Sequence, residues 1–176
     1  MQFVLDHEKA AQAAALLLQR HRGRLNYTAL IKLLYMADRR SFVESGLPIT
    51  GDYMVSMKNG TVLSGVYDLI KGEKEHPAWD AHIKRDGYDV ALLKVPTFRR
   101  LSSYEKRVIE NIDAEFGHLD WRVLCDLTHQ FPEWHNPDDS SERIEPADIL
   151  RREHKNDDEI ERIAREAEEF FFLKTA

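Results

Sequence analysis

Residues 29–45 read ALIKLLYMADRRSFVES, a segment at helical spacing in which Leu33, Leu34, Tyr35 and Met36 stand side by side. Consecutive helical positions point in directions about 100° apart, so four large apolar neighbours cannot share one face and must be covered on several sides. A helix of this kind lies at the centre of a fold, and the remaining segments pack around it. Its limits are marked in the sequence. Gly23 separates it from a preceding helix, Asn26 or Thr28 can cap its start, and Gly46 followed by Pro48 ends it.

The preceding segment, DHEKAAQAAALLLQRH over residues 6–21, has Asp6 as a candidate N-cap, strong helix formers and basic residues at its end. After Pro48, Tyr53, Val55 and Met57 alternate with Met54, Ser56 and Lys58 as in a short strand, and Asn59–Gly60 reads as a turn. Helical spacing is expected again from Val62 to Ile70. HIKRDGYDVALLKV, residues 82–95, reads as a β-hairpin turning at Asp86–Gly87, and with residues 52–57 it suggests one three-stranded antiparallel sheet. Helices are then expected from Ser102 or Ser103 to Gly117, from Asp120 through Phe131, from Pro146, and from about Asp157 to Leu173. HNPDDSSER, residues 135–143, reads as a surface loop. The pattern is that of an α+β, mostly helical single domain with six to seven helices and a small antiparallel sheet.

The chain of 176 residues carries a formal net charge of -6 with a pI near 5.8, which argues against a general nucleic-acid-binding surface. The total conceals an asymmetry. Lys and Arg against Asp and Glu number 7 to 4 in residues 1–50, 8 to 7 in 51–100 and 10 to 20 in 101–176. A single cysteine, Cys125, permits no internal disulfide, and MQFVLDHEKAA lacks the layout of a secretory signal, so a reducing cytoplasm is the expected compartment. No apolar run approaches the roughly 20 residues that cross a bilayer, and no membrane partner is expected.

Few patterns carry chemistry. Cys125 and His129 lie one turn apart in DWRVLCDLTHQF, with His118 and His135 nearby, but no CxxC or HExxH accompanies them. A buried thiol beside an ordinary histidine is the preferred reading. Asp126 and His129 form an acid/base pairing without a nucleophile motif. No catalytic residue, metal or cofactor is therefore assigned. Arg20, Arg22, Arg24, Lys32, Arg39 and Arg40 form a basic segment in which residues 27–40 could act as a DNA-reading helix; pairing with Asp38, Glu44 or the acidic second half is the favoured alternative. Candidates for partner contact are Tyr53, Met54, Met57 and Asn59 on a strand expected at a sheet edge, with Arg39 and Arg40. The final helix has seven acidic and two basic residues between 157 and 172, over a stripe of Ile160, Ile163, Ala164, Ala167, Phe170 and Phe171. Phe170, Phe171 and Phe172 cannot all face inward, so this helix is a further candidate for meeting a partner or a second subunit.

LIKLLYMADRRSFVESGLPITGDYMVSMKNGTVLSGVYDLI resembles the core of the Panacea domain, the family of SocA-like antitoxins and phage-associated proteins. LSSYEKRVIENIDAEFG and LCDLTHQFPEW are similar to the second half of that family, and Trp134, at the end of the latter, joins the candidate contact residues. The likeness extends over about residues 6–140, leaving an acidic helical extension at about 146–174. It departs where the family often has Gly-Pro-Val, because Thr61 and Val62 follow Gly60 here. The resemblance implies a non-enzymatic antitoxin that neutralises a cognate protein toxin by binding it, with delivery of the toxin to a AAA+ protease as a further expected route; the phenylalanines of the last helix add a homodimer as an expected assembly. The rivals are a DNA-binding helix-turn-helix regulator and a metal-dependent hydrolase.

Overall fold

A computed structural model describes residues 1–176. Its central helix, α2 (Tyr27–Ser45), starts at Asn26, whose Oδ1 accepts from the amides of Thr28 and Ala29 at 2.9 and 3.2 Å. It ends at Gly46, whose N–H donates to Phe42 O. Thirteen of its 19 residues are buried, including every one from Ala29 to Arg39. Continuous burial of this kind is what four adjacent large apolar residues demand.

The preceding α1 (His7–Arg20), capped by Asp6, lays Ala10, Ala11, Ala14, Leu17 and Leu18 into the same core. On its other sides α2 meets α5 (Ser103–Phe116), begun by a capping box of Ser102 and Glu105, and α6 (Trp121–His129), capped by Asp120. Between these run α3 (Ser64–Lys71) and a single turn, α4 (Pro77–Asp80), which makes eight helices where seven segments have helical spacing. The chain closes with α7 (Pro146–Arg152), with proline in its first turn, and α8 (Asp157–Thr175). Ile149, Leu150, Ile160 and Ile163 join these last two helices to the core.

The strands form two sheets rather than the one expected. β1 (Arg24–Asn26), β4 (Ile83–Asp86) and β5 (Asp89–Leu92) make the first, in order β1-β5-β4; β2 (Met54–Met57), β3 (Gly60–Leu63) and β6 (Glu142–Arg143) make the second, in order β3-β2-β6. All pairings are antiparallel. β1 is three residues long, too short to show a period, yet it occupies the hairpin edge that β2 was expected to fill. β3 takes in Gly60, expected in the turn, and Val62 and Leu63, expected as helix, because short apolar runs such as TVL fit either period and the hairpin with β2 decides the outcome. The hairpin loops are Lys58–Asn59 and Gly87–Tyr88, each one residue from its expected place: Met57 pairs with Gly60, and Asp86 with Asp89. Gly87 takes φ 63° at the first loop position, a conformation that favours glycine.

Buried polar groups tie α2 to the segments around it. Tyr35 Oη and Arg39 Nε both donate to Glu133 Oε1, at 2.7 and 2.6 Å, and a second Arg39 nitrogen bonds Glu153. Asp38 accepts from Thr50 N at 3.0 Å and Thr50 Oγ1 at 2.6 Å. Asp52 accepts from Val66 N at 2.8 Å, so a residue distant in sequence serves the first turn of α3.

Losing Glu133 as an anion would strand a buried guanidinium and a phenol. Glu133→Gln is expected to lower stability by about 3 kcal/mol in chemical denaturation, whereas an effect under about 1 kcal/mol would mean that Glu153 alone holds Arg39. Burial pushes the carboxyl of Asp38 up to about 7 and that of Asp52 up to about 6. Between pH 4 and 7 the folded chain keeps protons that the unfolded chain has released, so this contribution to stability is complete below about pH 4 and is lost as pH rises through 7. Asp38→Asn lacks its share of that decline. The stability difference between wild type and variant should therefore shift against wild type by roughly 4 kcal/mol from pH 4 to pH 8 in denaturation measured across that range.

Candidate functional site

Where α2 begins, the two hairpin loops, α6 and residues 138–140 surround a cavity of about 750 Å³. Four aromatic side chains stand in its walls among polar neighbours: Tyr27 from the first turn of α2, Tyr67 from α3, Tyr88 from the β4–β5 loop and Trp121 from the start of α6. Tyr27 and Tyr88 stack with centroids 6.4 Å apart, and the Arg85 guanidinium lies over Tyr27 at 4.8 Å. Tyr88 is 78% exposed and Trp121 37%, so the aromatic lining continues onto the surface.

Lys32 and Cys125 form the inner part of the cavity. The lysine is 2% exposed, and its Nζ donates to Thr61 O at 3.0 Å. Burial pulls its pKa down to about 8, and Cys125 is the one titratable group acting against that; no acidic side chain contributes. The thiol is itself pushed up, chiefly by burial, and so stays protonated and weakly nucleophilic at neutral pH. Gly60 closes this corner. A Cβ there would lie 2.2 Å from Thr128 Oγ1 and 2.9 Å from Lys32 Nζ, and its φ of 104° suits glycine. Both the close approach and the backbone require the residue found in "KNG".

The β2–β3 loop is held from behind. Trp134 Nε1 donates to Met57 O at 2.8 Å, His129 Nε2 lies 3.1 Å from Lys58 O, and the His129 and Trp134 rings pack at 4.3 Å. His129 is therefore a loop anchor, and Trp134, a candidate contact residue, has its indole N–H committed to the same loop. Asp126 is exposed. His135 Nε2 is 2.7 Å from Glu142.

The other candidates divide. Met57 and Asn59 line the cavity. Tyr53 is half exposed with Arg143 over its ring, on the opposite side of β2 from buried Met54. β2 is the middle strand of its sheet and not an edge, since β6 covers Val55 and Ser56. Arg39 and Met54 are turned into the fold, which removes them as surface contacts. Arg40 holds Glu115 through two bonds at 2.8 and 3.1 Å, and Arg20 holds Asp113 at 2.7 Å. Arg20, Arg39 and Arg40 thus pair with acids of the second half while Arg24 pairs with Asp86 and Asp89 in the first sheet, and the helix that would read DNA is enclosed by protein. None of Phe170, Phe171 and Phe172 is buried; Phe172 and Leu173 are 68% and 81% exposed.

Sequence reading missed the aromatic lining, because Tyr27, Tyr67, Tyr88 and Trp121 come from four separate elements. One signal pointed to the centre of the site: Lys32 interrupts the run ALIKLLYM at a position that helical spacing buries. A desolvated ammonium with one hydrogen bond works against folding. Lys32→Met is expected to raise stability by about 2 kcal/mol at pH 7, after loss of the Thr61 bond is deducted. The gain should vanish near pH 10, where wild-type Lys32 folds uncharged at little cost, and thermal denaturation at both pH values reads the difference.

Residues 30–135, well over half of the chain, match the family model described as antitoxin SocA-like, Panacea domain. The match takes in α2 from Leu30 onward, both hairpins, α5 and α6, and with them 11 of the 17 residues that line the cavity, Tyr27 and the loop at Asp138–Ser140 lying outside it. No curated protein and no solved structure matches the chain. No helix is long and apolar enough to cross a membrane.

Proposed function

The chain belongs to the SocA-like antitoxin family of Panacea domains, and from that premise we propose that it neutralises a cognate protein toxin by direct, non-enzymatic binding, with the mouth of the hairpin cavity as the contact surface. The family places the chain in an antitoxin role and implies a toxin partner in general. The observation that carries the choice of surface is the aromatic mouth, where Tyr88 and Trp121 are exposed beside Met57, Lys58 and Asn59. Exposed aromatic and methionine side chains set among polar neighbours are the composition of protein-binding patches. The β2–β3 loop, which carries Met57, Lys58 and Asn59, is braced by His129 and Trp134, so little of its conformational freedom is lost on binding. In this reading residues 6–140 form the binding unit, residues 146–174 are an acidic helical extension, and the protein works in the cytoplasm.

The end of α8 is a second candidate surface, through Phe170, Phe172 and Leu173. It suits either a homodimer contact or the step that passes a bound toxin to a AAA+ protease. Deleting all of α8 would uncover the core at Ile160 and Ile163, so Phe172→Ser with Leu173→Ser is the cleaner probe.

Affinity capture of the tagged chain from its native cells should recover one protein in near-equal amount that arrests growth when expressed alone and is silenced by this chain. Tyr88→Ala combined with Trp121→Ala should weaken that capture by about 100-fold or more while leaving the melting temperature nearly unchanged, given the exposure of both rings. Undiminished capture by the double variant would move the contact elsewhere, and α8 would be tested next by its serine pair. If α8 serves delivery, those serines should lengthen the half-life of the toxin without loosening the complex.

A further inference from the structure

The floor of the cavity holds a cation that the protein itself does not neutralise. An ammonium carries three donors, and Lys32 uses one, on Thr61 O. Arg39, 9% exposed, has two carboxylates; Lys32, more deeply buried, has none. Buried charges are ordinarily paired, because an isolated one forfeits its hydration without return. Nothing in the packing forces a lysine here. Its neighbours Ile31 and Leu33 are apolar, and an apolar side chain of similar length would relieve the desolvation. Gly60 lets the β2–β3 loop pack directly against Nζ, since a Cβ there would collide with Thr128 Oγ1 and press on the ammonium. The acidic residues of the cavity, Asp138 and Asp139, are on its exposed loop, where Asp139 faces Lys58 at 3.7 Å rather than Lys32.

We propose that this cavity is a carboxylate-binding pocket, in which Lys32 Nζ pairs with the carboxylate of an inserted group while Tyr27, Tyr67, Tyr88 and Trp121 enclose its aromatic or aliphatic body. Resting on the antitoxin reading, the occupant is a carboxylate-bearing segment of the bound toxin, either an acidic side chain beside an apolar one or a chain terminus. Three features favour that source. The volume suits one or two side chains, the entrance is flanked by exposed aromatic rings, and the single unpaired cation lies at the inner end, where only an inserted group can reach it. A carboxylate there would form a charge-assisted bond shielded from water, the setting in which one such bond discriminates best. Lys32 is then a specificity determinant, while the surrounding rings supply most of the contact area.

The probe pair is 3-phenylpropionate and its neutral counterpart 3-phenylpropionamide, titrated into the full chain and followed through the Trp121 indole and Gly60 amide resonances. At pH 7 the acid should bind at least about tenfold more tightly than the amide. Lys32→Gln and Lys32→Met should each abolish that preference while keeping amide binding. If neither variant folds, the unmodified chain decides the matter, because the preference should disappear between pH 7 and pH 10 as Lys32 loses its proton. The other titratable groups lining the cavity are Cys125, whose thiol burial pushes up, the tyrosines Tyr27, Tyr67 and Tyr88, and, at the exposed rim, Lys58, Asp138 and Asp139. Equal binding of acid and amide at pH 7, or a preference that survives Lys32→Gln, would overturn the pocket. With a captured toxin in hand, saturating 3-phenylpropionate should release it, and Lys32→Gln should weaken its capture about tenfold. Retention of the toxin while the acid occupies the pocket would overturn the toxin as its source. Failure to capture any toxin counts against the antitoxin reading alone, since the acid and amide titrations need no partner.

Discussion

Burial of α2 on every side is the constraint from which the rest of the structure follows. A helix with apolar residues around its whole circumference can be covered only by several elements at once, and here α1, α3, α5, α6 and the second sheet share that task. Burial on all sides leaves no solvent face for the polar residues of the helix. Lys32, Tyr35, Asp38 and Arg39 must each find a partner inside the protein, and three of them find strong ones. Glu133 receives Tyr35 and Arg39, and Thr50 satisfies Asp38. These bonds hold the connection after α2 and the segment after α6 in fixed register against the helix, which apolar packing alone would specify less tightly.

Lys32 departs from that scheme, and the departure coincides with the largest cavity. The hairpins form the rim, α6 forms a wall, and the braced β2–β3 loop keeps the entrance open. The same architecture that completes the core therefore leaves one of its charges facing a space large enough for a ligand. Such conflicts between local rule and structure gather at functional sites, since a group kept despite its cost to folding is retained for something else.

The acidic second half acquires a structural meaning alongside any binding role. Glu115, Asp113, Glu133 and Glu153 neutralise arginines of α1 and α2, so much of the charge asymmetry between the halves is spent inside the fold. What remains unpaired is concentrated on α8, whose first turns are docked by Ile160 and Ile163 and whose last turn presents aromatic side chains outward. A helix docked through Ile160, Ile163 and Ala167, with Lys174 paired to Asp6 and an apolar patch exposed on its last turn, is suited to a second contact distinct from the cavity.

The sequence by itself determined the helices and the centre of the fold. Helical period, caps such as Asn26 and Ser102, and terminators such as Gly46 act within a few residues, so their effect is readable locally. The cluster Leu33 to Met36 announces burial without any knowledge of what covers it. The family likeness was legible for the same reason, being carried by contiguous motifs. Only the tertiary structure decided how the strands pair, because β1, β3 and β6 are two to four residues long, and β1 and β6 owe their existence to partners tens of residues away in the chain. It likewise decided that Arg39 points inward, that β2 is not an edge, and that Tyr27, Tyr67, Tyr88 and Trp121 meet around Lys32. Strand pairing and pocket walls depend on contacts between residues separated by tens of positions, and no local pattern in a single sequence encodes which of those contacts will form.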